Sequence, residues 1–174
     1  MDVTEDKVYR EVEKVAIKNI DTIISNYNHR ALRWMAQVMK LVFTSVYKQI
    51  VVNEHALKRV KQLCASRKGP IIFCPTHRSY IDFLLVSAVL YYYDMEVPHI
   101  CAGDDFLSLV GVADLLRMSG AYFMRRSFRD DPLYKAIFTS YVEYLCQEKM
   151  VMEFFIEGTR SRTNKMMTPK FGIL

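Results

Sequence analysis

The sequence predicts an α/β protein: a mixed, partly parallel sheet flanked by helices, preceded by an N-terminal helical region. Three observations predict it. From Asp6 to about Ala65 the apolar residues recur at threes and fours, the period of a helix. After that, four short apolar runs alternate with helical stretches, which is the pattern of a strand–helix fold. Between the two regimes stands "SRKGP" at 66–70, where Gly69 and Pro70 break regular structure. The expected division is therefore a helical region over 1–66 and an α/β domain over 67–174.

In the first region, Val8, Val12 and Val15 mark one helix, and Leu32, Met35, Met39, Val42 and Val46 mark another. Asn53 is placed to cap a third, which carries Leu57, Val60 and Leu63. In the second region, "IIFC" (71–74) predicts a buried strand, followed by a helix from Tyr80 to Tyr93. "VPHICA" (97–102) predicts a strand, then a helix from Asp105 to Met118. "AYFM" (121–124) predicts a third strand, then a helix from Pro132 to about Glu148. "VMEFFI" (151–156) predicts a fourth. Helices should cover both faces of the sheet.

Composition bounds the function. At 51% hydrophobic and 25% charged over 174 residues, the chain has enough apolar surface for one packed domain. Its net charge of +5 suits an anionic substrate or an anionic membrane surface. The excess is concentrated: residues 30–68 hold nine Lys or Arg and one acid, Glu54. Cys64, Cys74, Cys101 and Cys146 are dispersed and read as reduced thiols, with Cys74 and Cys101 in the core. The longest uncharged run, Phe83 to Tyr93, is 11 residues, too short to span a bilayer. The charged, helical N-terminus does not read as a signal peptide. His29, His55 and His99 have no acidic or cysteine partner at ligand spacing, so no metal site is expected. No nucleic-acid motif is present, and nucleic acid is not an expected partner.

Ligands of open α/β sheets collect at the carboxyl ends of the strands. Three polar clusters fall there: "THRSYID", "RRSFRDD" and "EGTRSR". In the first, Ser79 and Asp82 read as a capping box that starts a helix at Tyr80. His77 is then either a general base oriented by Asp82, or an ordinary loop histidine beside a cap. In the second, neighbours on an extended segment face opposite ways, so Arg125 and Arg126 cannot share one pocket. One should bind, and the other should lie on the surface or pair with Asp130 or Asp131. In the third, Arg160 can fork onto a phosphate, with Arg162 and Lys165 beyond it. Glu153, inside an apolar strand, is expected to point away from the core.

Together these clusters resemble the blocks of the glycerolipid acyltransferase family. "HRSYID" is similar to its H-x-x-x-x-D block. "GAYFMRR" is similar to G-x-x-F-x-x-R, on Gly120, Phe123 and Arg126. "FFIEGTRSR" is similar to E-G-T-R, on Glu157, Gly158, Thr159 and Arg160. The likeness runs from about Leu57 to Leu174 and keeps the family's order and spacing.

The resemblance implies the acyltransferase fold and acyl transfer from acyl-CoA to a hydroxyl of dihydroxyacetone phosphate or glycerol 3-phosphate, an opening step of ether-lipid or phospholipid synthesis. It implies His77 as base and Asp82 as its orienting partner. Gly120, Phe123, Arg126 and Glu157 to Arg160 would bind the acceptor, with the arginines on its phosphate. It implies no cofactor beyond acyl-CoA as co-substrate, no metal and no covalent acyl-enzyme. The implied setting is peroxisomal and membrane-associated. The helix around "ALRWMAQVMKLVF" either lies in a membrane interface or packs on the domain with a solvated basic face. The alternative to an enzyme is an inactive lipid- or membrane-binding relative. The family's fourth block, a later proline-bearing strand, lies beyond "TPKFGIL". The 174-residue chain is therefore expected to lack part of its sheet and acyl pocket, to leave the fourth strand with an open edge, and to have little activity alone.

Overall fold

The computed structural model describes residues 3–79, 81–128, 130–163 and 165–170. Three helices come first: α1 (Val3–Ile23), α2 (His29–Val46) and α3 (Glu54–Ser66). Asn28 caps α2 through Oδ1, which accepts from the amides of Arg30 and Ala31. Asn53 caps α3 by accepting from the amide of Ala56, as the sequence predicts.

The alternating part follows as β1 (Ile71–Phe73), α4 (Asp82–Tyr92), β2 (His99–Gly103), α5 (Val112–Met118), β3 (Ala121–Met124), α6 (Pro132–Gln147) and β4 (Val151–Glu153). The helix expected from Asp105 is broken. Asp104–Ser108 forms a short 3₁₀ turn, and α5 starts only after Gly111, whose φ of 77° cannot continue a helix. The expected start of α4 at Tyr80 lies outside the described residues, and the helix is regular from Asp82.

The strands pair in the order β1-β4-β2-β3, all parallel. β4 therefore has a neighbour on each edge, which corrects the expectation of an open one. The chain runs β1 to β2 to β3 in one direction and returns to insert β4. Right-handed crossovers then put α4 and α5 on one face and α6 on the other. The two cores agree. Tyr122, Tyr134, Phe138, Leu145 and Met152 pack with Ile23 of α1. Phe123, Ala121 and Leu116 pack with Met35 of α2.

Arg117 ties the N-terminal helices to this sheet. Its guanidinium donates to the carbonyls of Asp21, Thr22 and Ile24, the orphan acceptors at the end of α1. It also lies 5.0 Å over the Phe123 ring. The turn after α1 then lays Tyr27 against Gly120. Gly120 has φ 104°, and a Cβ there would stand 3.0 Å from the Pro98 carbonyl and 3.3 Å from the Tyr27 ring. Gly120→Ala should therefore destabilise the fold by about 1–3 kcal/mol from backbone strain alone, with the contacts adding more. The denaturant midpoint of the variant measures it, and an unchanged midpoint would show that the turn yields freely.

Candidate active site

The carboxyl ends of the four strands form one rim, and the three polar clusters lie on it. After β1 the chain turns through His77, whose ring is about one-fifth exposed. Its Nδ1 lies 3.2 Å from Asp82 Oδ2. The same oxygen accepts the amides of Arg78 and Ser79, each at 2.6 Å. This is one limb of a capping box, the side chain reaching back to the Ser79 amide. The other limb is altered, because Ser79 Oγ accepts from Ile81 at 3.4 Å. Asp82 is thus a loop anchor and a histidine partner at once. A carboxylate only accepts, so Nδ1 carries the hydrogen and Nε2 keeps its lone pair.

The His77 ring lies on Phe155, with centroids 4.3 Å apart. Glu157 joins the first cluster to the third. It is buried, and its Oε1 accepts the His77 amide at 2.9 Å while Oε2 accepts the Met167 amide at 2.9 Å. These two bonds hold its carboxyl below the usual range. Gly158 turns the chain at φ 66°, with its amide on the Phe155 carbonyl. Gly158 and Thr159 are exposed, and Arg160 is half-buried on the same loop.

At the end of β3 the two arginines part, as alternation predicts. Arg125 pairs with Asp131 at 2.8 Å, donates to Asn19 Oδ1 at 3.1 Å and stacks 4.2 Å over Tyr134. Arg126 points to solvent and donates through Nε to Asp105 Oδ2 at 2.9 Å. That pairing holds the Asp105 carboxyl below its ordinary range. From the sequence Asp105 is expected only as the start of a helix, not as a site residue; its signal was "GDD" at the end of the second strand, a rim position like the others.

Not every expected site residue reaches the rim. Gly120 is buried at the opposite end of β3, where it makes room for Tyr27, and Phe123 is sealed beneath Arg117. Both shape the strand that delivers Arg126. Glu153 does not point outward: it is fully buried, because its side of β4 faces the start of α4. Cys74 is exposed rather than core, since strand pairing of β1 ends at Phe73.

Two cavities stand out, and neither is lined by His77, Arg126 or Arg160. One is apolar, between α2 and α4, with Met35, Met39, Phe83, Leu84 and Tyr91 in its wall. The other lies beside α6. Among the described residues no cluster of His, Cys, Asp or Glu is placed to hold a metal, and no helix is long and apolar enough to cross a membrane.

Comparison with known proteins gives two findings. The profile of the Acyltransferase family matches residues 48–174. Over 96% of its length the chain is 40% identical to the dihydroxyacetone phosphate acyltransferase of Homo sapiens, of which it covers 26%. The corresponding protein of Bos taurus is 43% identical over 87% of the chain, with 23% of that protein covered. The glycerol-3-phosphate acyltransferase of Pseudomonas entomophila is 36% identical over 95% of the chain, with 19% covered. The chain thus spans about a quarter or less of the length of these relatives.

Proposed function

Because this chain belongs to the Acyltransferase family, we propose that it is the catalytic part of an enzyme moving a fatty acyl group from acyl-CoA to the hydroxyl of dihydroxyacetone phosphate, with glycerol 3-phosphate as the alternative acceptor. The observation that carries this reading is the His77–Asp82 pair, with Nδ1 engaged and Nε2 left for the acceptor. Nε2 takes the hydroxyl proton as the oxygen attacks the thioester carbonyl. Asp82 stabilises the imidazolium so formed. The C–S bond breaks, and the CoA thiolate leaves and takes the proton back from His77.

Arg126 and Arg160, on loops after β3 and β4, would hold the acceptor phosphate by charge-assisted bonds. Arg126 would exchange Asp105 for that phosphate. Glu157 keeps His77 and the loop after β4 in register through its two amide bonds. The cavity between α2 and α4 is apolar and begins at Phe83, next to Asp82, but its volume of about 30 Å³ is too small for an acyl chain unless the two helices part. Exposed Trp34, Leu41 and Val46 on α2, beside Arg33 and Lys40, support contact with a membrane surface. The peroxisomal setting expected of a dihydroxyacetone phosphate acyltransferase goes with this reading.

Thiol release from acyl-CoA tests it in the full chain, with dihydroxyacetone phosphate, glycerol 3-phosphate and their unphosphorylated counterparts as acceptors. Release should require a phosphorylated acceptor and yield the acylated product. Release that is indifferent to the acceptor would mean a thioesterase and overturn the proposal.

A further inference from the structure

Glu153 is the last residue of β4, and none of its surface is exposed. Alternation along the strand puts Met152 in the core beneath α6 and Glu153 on the α4 side. Its register neighbours are apolar: Phe73 on β1 and Ile100 on β2. The charge that bears on it is Asp82, at the start of α4. Neither of its carboxyl oxygens has a hydrogen-bond partner among the described residues. An unpartnered acid in an apolar layer costs free energy, and its ionised form costs far more. A methionine would fill the same space without that cost. A buried acid directly behind a histidine–aspartate pair therefore points to a role in the site.

We propose that Glu153 is a positioning residue for the His77–Asp82 pair: its carboxyl holds a proton in the working site, and loss of that proton switches the pair off. The inference rests on the acyl-transfer reading above. With Glu153 neutral, the two acids carry one negative charge between them. Asp82 keeps it, because its Oδ2 takes the amides of Arg78 and Ser79 and the ring of His77, whereas Glu153 has no donor. That charge is then undivided for the imidazolium. With Glu153 ionised, two like charges meet in a space that is apolar on the β1 and β2 sides, at Phe73 and Ile100. Relief comes by moving Asp82, and the first turn of α4, away from His77.

The direction with pH follows from burial first and the charge of Asp82 second, which together push the Glu153 carboxyl up from 4.5 to about 8. The folded protein holds this proton more tightly than the unfolded chain does. The associated stability is fully present below pH 4.5 and is lost as pH rises through about 8.

The full chain tests this with Glu153→Gln, which keeps the shape and cannot ionise, and with Glu153→Met as a second neutral variant. Wild-type kcat should fall at least about tenfold above the Glu153 inflection, with little change in KM for either substrate. Glu153→Gln should keep kcat at neutral pH within about threefold of wild type and lose the inflection. Two readouts need no turnover. The infrared carbonyl stretch of a protonated carboxyl should be present at neutral pH, fade through the same inflection and be absent from Glu153→Gln. The NMR shifts of the His77 ring should follow that inflection in wild type and not in the variant.

An alkaline fall that persists in Glu153→Gln, or a missing infrared band at neutral pH, would overturn the proposal. So would failure of both variants to fold, which would leave Glu153 a structural residue. If both spectroscopic titrations appear as stated but no acceptor is acylated, the acyl-transfer reading fails and the coupling of Glu153 to His77 stands.

Discussion

Replacing His77 by alanine is expected to lower acyl transfer by about 10²–10⁴-fold, the usual worth of a general base, with helical content unchanged. The fold should survive because the ring's contacts are local. It lies on Phe155 and Asp82, while the loop itself is held by the His77 amide on Glu157, which alanine keeps. Asp82→Asn separates the two jobs of Asp82. An asparagine oxygen can still accept the Arg78 and Ser79 amides, so the loop should hold. Its oxygen, in the place of Oδ2, still faces Nδ1 of His77, but a neutral amide cannot stabilise an imidazolium as a carboxylate does. Turnover should therefore fall by at least about 10²-fold while the melting temperature changes little. Steady-state rates and circular dichroism on both variants decide it. A His77→Ala protein that keeps more than about a tenth of the rate would sink the base assignment. An Asp82→Asn protein that is active but unstable would reduce Asp82 to an anchor.

Arg160→Ala and Arg126→Ala should each raise KM for the phosphorylated acceptor by roughly 10–100-fold, with KM for acyl-CoA nearly unchanged. A hydrogen bond to a charged group contributes about 1.5–3 kcal/mol, and 1.4 kcal/mol is tenfold in affinity. Arg125→Ala is the control one residue away. Its guanidinium is tied to Asp131, Asn19 and the Tyr134 ring, which belong to α1 and to the start of α6. Its loss should lower stability and leave acceptor KM alone. Equal KM effects from Arg125 and Arg126 would mean that both arginines reach the phosphate and would refute the strand geometry as the sorting rule.

The sequence by itself determined the order of elements, the cap at Asn53, and the gathering of three polar clusters at strand ends, because each depends on neighbours in the chain. Alternation alone parted Arg125 from Arg126. The break of the expected helix at Gly111 was present as a lone glycine, but sequence does not say which glycine takes a positive φ. Tertiary structure decided the rest. Inserting β4 between β1 and β2 brings Glu157 to the His77 amide, across 80 residues of chain. The same insertion buries Glu153 behind Asp82, where an apolar strand with one acid had suggested an outward side chain. Gly120 and Phe123 fit a site motif by spacing, yet packing of the α1–α2 turn and Arg117 gives them to the core. The physical reason is the same in each case. Period and capping are set within a few residues, whereas burial and charge environment are set by whichever strand the crossover places alongside.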